Sequence, residues 1–260
     1  MKQFALFLRS VRSQRWSKLF ALTCIAPGLV QTGVLPGASL QAQAQSLPYC
    51  QFPVQSFSQK NTLLREGLRG NVQARQAYQA LIRSDAQQLQ QCRSQSWLKT
   101  QAIWLRLHDC DLQPGVLESV LDRIVSRGYN RVYIEVFYSG HVLLPPAENR
   151  TAWPSIVRNP AFANRDLLAE AIQKSRERGL EPYAWMFSLN FGYSYGKRAD
   201  RAHTLARNGF GKTSMTVVDT TNSDIDIGKG DVDKVFVDPY NLQVRQDYAQ
   251  MLQAVLQRRP

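Results

Sequence analysis

The chain has 260 residues, more than one small domain needs, and its 44% hydrophobic and 20% charged residues are those of a packed globular protein. Its formal charge of +12 points first to polyanions, yet five cations (Lys2, Arg9, Arg12, Arg15, Lys18) lie in the first 44 residues, which carry no acid. Taking these away leaves +7 with no basic run, which argues against nucleic acid and leaves a mild affinity for acidic polysaccharide or a membrane surface.

Residues 1–44 read as a secretory leader. Basic residues up to Lys18 precede an apolar stretch from Leu19 to Val34, and Ala42-Gln43-Ala44 offers a small-residue cleavage site. Pro27, Gly28 and Gln31 interrupt the apolar run, so no membrane span is expected after cleavage. Thr23 before Cys24 is too large for a lipidation site. The mature chain, expected in the periplasm or outside the cell, then keeps Cys50, Cys92 and Cys110. An oxidising compartment allows one bridge among them, and Cys50 with Cys92 is the preferred disulfide because the two bracket one helical segment.

Residues 45–98 form that segment, a helical extension. Leu63, Leu64, Leu68, Val72, Ala77, Leu81 and Leu89 recur at roughly helical spacing, and Gly67 and Gly70 break the run into a hairpin that covers one end of the next domain. From Lys99 the pattern alternates strand and helix. Ala102–Leu107 is strand-like and ends in His108-Asp109-Cys110-Asp111. Pro114 opens a helix to about Arg127, closed by Gly128. Arg131–Phe137 is a second strand, Leu167–Arg178 a helix capped by Asp166, and Glu181–Phe187 a third strand. Long excursions occupy 138–165 and 189 to about 238. The second holds Thr216-Val217-Val218 and Val235-Phe236-Val237, a candidate β hairpin, before a last amphipathic helix from Asn241 to Gln257. This order demands a parallel sheet with crossover helices. It gives an α/β class and a (β/α)8 TIM-barrel type of fold over residues 99–260, incomplete at three to four β/α units.

Alternate side chains of a barrel strand enter the lumen. The set Trp104, Arg106, His108 on strand one, Tyr133, Glu135, Phe137 on strand two and Tyr183, Trp185, Phe187 on strand three makes a polar and aromatic mouth. Glu135 is the candidate catalytic carboxylate. Arg106, His108, Tyr138, Trp185 and Asn190 are the candidate substrate-binding residues, because sugars stack on aromatic rings and bond to planar polar groups. Arg106 and Glu135 can equally be a buried ion pair that satisfies itself. Hydrolysis of a glycoside needs a second carboxylate. Asp109 and Asp111 are the nearest, and both can simply cap the next helix. No metal or cofactor is expected. His108, His141 and His203 lack ligand spacing, Asp224-Ile225-Asp226-Ile227-Gly228 reads as a solvated turn, and no phosphate loop or nucleophile elbow occurs.

Four segments resemble the glycosyl-hydrolase-like family 10 proteins, a barrel group related to glycoside hydrolases: Ile103-Trp104-Leu105, Gly128-Tyr129-Asn130-Arg131-Val132-Tyr133, Gly179-Leu180-Glu181-Pro182-Tyr183-Ala184-Trp185, and Val237-Asp238-Pro239-Tyr240-Asn241 with Val244-Arg245. The resemblance covers residues 99–260. It implies a secreted, glycoside-hydrolase-like protein acting on O-glycosidic bonds of an extracellular or cell-envelope polysaccharide. A non-catalytic carbohydrate-binding or envelope module, or an inactive fragment, is the alternative. In that family the last helix leads into a further strand with an acidic segment. No such strand occurs here, so a missing C-terminal half or a complementary chain is expected as a partner.

Overall fold

In the computed structural model, residues 49–215 and 235–260 are described; the leader, with Cys24, and the segments around Thr216 and Asp224 lie outside them. Two helices come first, α1 (Val54–Leu68) and α2 (Val72–Gln95). The break between them falls where Gly70 takes φ +99° and the Asn71 side chain accepts from the Ala74 amide at 3.0 Å, capping α2.

The sheet begins with β1 (Ala102–Leu105), followed by α3 (Val116–Ser126), β2 (Arg131–Tyr138), the two-residue β3 (His141–Val142), α4 (Leu167–Glu177) and β4 (Glu181–Met186). β2 is central. β1 and β4 pair with it in parallel, and β3 pairs antiparallel with its last two residues. The result is a mixed α/β unit with a four-stranded, mainly parallel sheet. α3 starts two residues later than Pro114 suggests, because Gly115 sits at φ +82° and finishes a turn first.

One face of the sheet is covered. Val132, Ile134 and Val136 are fully buried against Leu117, Leu121 and Val125 of α3 and Leu168, Ala171 and Ile172 of α4. The alternation of β2 predicts Phe137 beside Glu135 on the opposite face, and this is corrected by a bulge. Glu135 pairs with Trp185 and Phe137 with Met186, so Val136 is the extra residue and the alternation resets. Phe137 is fully buried in a second core with Trp153, Phe191, Tyr195, Val244 and Met251. That core joins the 138–165 excursion to α5 (Gly192–Gly196) and α6 (Leu242–Leu256).

The helical hairpin lies along the helix layer. α1 runs beside α3, with Leu64 and Leu68 at Gly115, Asn61 accepting from Ser119 at 3.2 Å and Arg123 over the Phe57 ring. α2 is locked to α3 and α4 by a buried triad. Arg178, 2% exposed, donates to Asp122 at 2.8 Å and to the Tyr78 hydroxyl at 2.7 Å, and that hydroxyl donates to Asp122 at 2.7 Å. Burial dominates at Tyr78 and pushes its phenol well above the usual range. At the far end of α2, Arg93 donates to the carbonyls of Gly128, Leu98 and Tyr49, and Cys50 is joined to Cys92 by a disulfide.

Candidate functional site

Among the described residues the second face of the sheet is open. Parallel register sets Trp104, Tyr133 and Tyr183 side by side across β1, β2 and β4. Their rings form one strip, with centroids 6.2 Å apart for Trp104–Tyr133 and 5.5 Å for Tyr133–Tyr183. Trp104 is 69% exposed and Tyr183 41%. The next row toward the strand C-termini carries Arg106, Glu135 and Trp185. Trp185 meets Trp104 edge-on at 6.2 Å and Phe187 at 4.5 Å. Sheets whose strands run parallel normally have both faces covered, whereas this aromatic face is left uncovered among the described residues.

Glu135 is nearly buried on this face and is held bidentately, by Arg106 Nε at 2.5 Å and a terminal guanidinium nitrogen at 3.1 Å. Arg106 itself is half exposed and lies over the Tyr138 ring at 4.6 Å. The bonds to Glu135 outweigh partial burial and hold the Arg106 proton more tightly than usual. Tyr138 donates to the Leu107 carbonyl at 2.9 Å, with His108 Nδ1 at 3.5 Å, and burial raises its phenol pKa. Beyond Tyr138, His141 Nε2 meets Arg158 at 2.8 Å, and Asp109 accepts from the Arg158 amide at 3.3 Å. Asp111 accepts from the His108 amide at 2.8 Å, so this acid is spent on the turn after β1.

Arg106, His108, Glu135, Tyr138 and Trp185 therefore share the C-terminal end of the open face. Asn190 lies in the loop after β4. Its side-chain oxygen accepts from the Val235 amide at 3.0 Å and the Gly192 amide at 3.3 Å, tying the loop after β4 to residue 235. Trp104, Tyr133 and Tyr183 were legible as same-face residues but not as binding candidates; their register across three strands is the signal that joins them. Trp153, left in an excursion by the sequence, is 2% exposed and donates to the Phe191 carbonyl at 2.9 Å, so it is core. Cys110 is an exposed free thiol. Among the described residues no group of three or more His, Cys, Asp or Glu could hold a metal, and no helix is long and apolar enough to cross a membrane. No family model, curated protein or solved structure matches this chain.

Proposed function

We propose that this is an exported, glycoside-hydrolase-like protein of partial TIM-barrel type whose open sheet face binds a polysaccharide of the cell envelope or surroundings. The observation that carries the reading is the strip of exposed Trp104 and Tyr183 flanking half-buried Tyr133, set directly beside the Arg106–Glu135 pair and Trp185. Pyranose rings present flat C–H faces to aromatic rings and hydroxyls to planar charged groups, and this face offers both within one strand repeat of about 7 Å. Export is supported by the leader pattern of residues 1–44 and by the disulfide joining Cys50 and Cys92.

Binding without hydrolysis is the form the geometry favours. Both Glu135 oxygens accept from Arg106, which leaves the carboxylate anchored rather than free to deliver a proton to a leaving group. Of the two acids after β1, Asp111 is spent on its own turn and Asp109 accepts from a backbone amide. The test is affinity electrophoresis against a panel of neutral and acidic soluble polysaccharides, with reducing-end release measured in parallel. Retention by at least one glycan, weakened roughly ten-fold by Trp104→Ala or Trp185→Ala, is the expected outcome. Failure of every glycan to retard the chain removes the proposal. Reducing ends released by the parent and not by Glu135→Gln restore a catalytic role for Glu135.

A further inference from the structure

The described structure carries a second unfilled surface, on the opposite side of β1 from the sugar-type face. β1 is an edge strand that pairs only with β2 among the described residues. Beside its free edge runs an apolar groove of about 930 Å³ between α1 and α3, lined by Phe57, Leu64, Leu68, Ile103, Leu105 and Val120 among others. Ile103 and Leu105 are the two β1 side chains that turn away from Trp104, so groove and edge are one feature. Unpaired backbone groups along a strand, next to an unfilled apolar trench, are the elements of strand addition.

Charge selects the occupant. The groove walls contain two cations, Arg65 and Arg123, both exposed, and no acid. Arg123 lies over Phe57 at one end, and Arg65 stands on α1 between Leu64 and Leu68, its Nε donating to the Asn61 carbonyl at 3.2 Å. Gly115 and Arg123 are separated by about 12 Å of helix rise, close to the length of the four-residue β1. A second copy of this chain brings a net positive charge to that surface, +7 even without the leader.

We propose that the β1 edge and this groove take an extended segment of a separate, acidic polypeptide, which adds a strand to the sheet with aliphatic side chains in the groove and acids at Arg65 and Arg123. The inference is independent of what the open face binds. The probe is a short fluorescent peptide of alternating valine and threonine ended by glutamates, with a lysine-ended twin, titrated with the full chain by anisotropy. The glutamate peptide is expected to bind at least roughly ten-fold more tightly, and Arg65→Glu with Arg123→Glu to reverse that order. Both are exposed positions, so circular dichroism of the variant should be unchanged. Equal binding of the twins, no binding at millimolar peptide, or a stable dimer that excludes the peptide each overturns the proposal, the last in favour of a second copy. None of these outcomes bears on glycan retention.

Discussion

Removing Arg106 should cost more than removing the charge of Glu135, and the reason is which partner is stranded. At 2.5 Å and an effective dielectric near 20, the gross attraction between the two charges is about 7 kcal/mol. Most of it offsets the desolvation of Glu135, whose side chain is 7% exposed, whereas Arg106 is 52% exposed and stays largely hydrated. Arg106→Met leaves an unpaired carboxylate under the aromatic strip, and its cost should lie between those of an exposed and a fully buried pair, about 2–3 kcal/mol. Glu135→Gln keeps an acceptor and lets Arg106 turn to water, at about 1 kcal/mol. Arg106→Met with Glu135→Leu removes both charges and should recover most of the single loss. Urea unfolding at neutral pH, with the slope checked for constancy across variants, measures all three. A double variant no more stable than Arg106→Met, or a larger loss from Glu135→Gln than from Arg106→Met, refutes the reasoning.

Other outcomes rest on the same structure. Asp122→Ala strands the fully buried Arg178 guanidinium and should cost about 3–5 kcal/mol, while Tyr78→Phe should cost about 1–2 kcal/mol, both read from urea midpoints. Burial alone would raise the Asp247 pKa, but hydrogen bonds from Arg201, Tyr195 and Gln243 prevail and hold it below the usual carboxylate range; Tyr195 is pushed up to about 12, mainly by burial. A depressed folded-state pKa contributes stability that is complete above the ordinary value of about 4 and is lost as pH falls through the folded value. Melting temperatures should therefore drop below about pH 4 in the parent and drop less steeply in Asp247→Asn. Reducing the Cys50–Cys92 bridge, which spans 42 residues, should cost about 4 kcal/mol by the chain-entropy relation, visible as a lower urea midpoint in reductant. Gly192→Ala should destabilise, because a methyl there would meet the Gly140 backbone at 2.3 Å and Gly192 holds φ +74°.

The layout of β1, α3, β2, α4 and β4 was legible because each element carries its own period and its own stop. Gly128 and Gly179 end their helices at φ +80° and +72°, and Asp166 caps α4 through the Ala169 amide. The pairing of Arg106 with Glu135 was legible for the same reason, since a period of two puts them on facing positions of adjacent strands. Phe137 was misplaced because a bulge is one inserted residue that leaves no mark in an apolar run such as Val136-Phe137. The bonds from the amides of Gly192 and of the distant Val235 to Asn190 could not be read from the chain, because only the folded loop creates them. Trp153 sits after a run of prolines and looked like loop, yet its stacking on Tyr195 and edge contacts with Phe137 and Phe191 make it a centre of the second core.

The two unfilled surfaces meet at β1, and this constrains how each is used. Trp104 points to the open face while Ile103 and Leu105 point to the groove, and among the described residues β1 is paired on only one edge. An added strand beside β1 would extend the aromatic face by one further row of alternating side chains, placed about 5 Å from Trp104. A glycan lying across Trp104, Tyr133 and Tyr183 would then reach residues supplied by that strand. The open face and the β1 edge are therefore neighbours: the described residues supply an aromatic row and one carboxylate anchored by Arg106, and a strand added at β1 would contribute the next row of side chains.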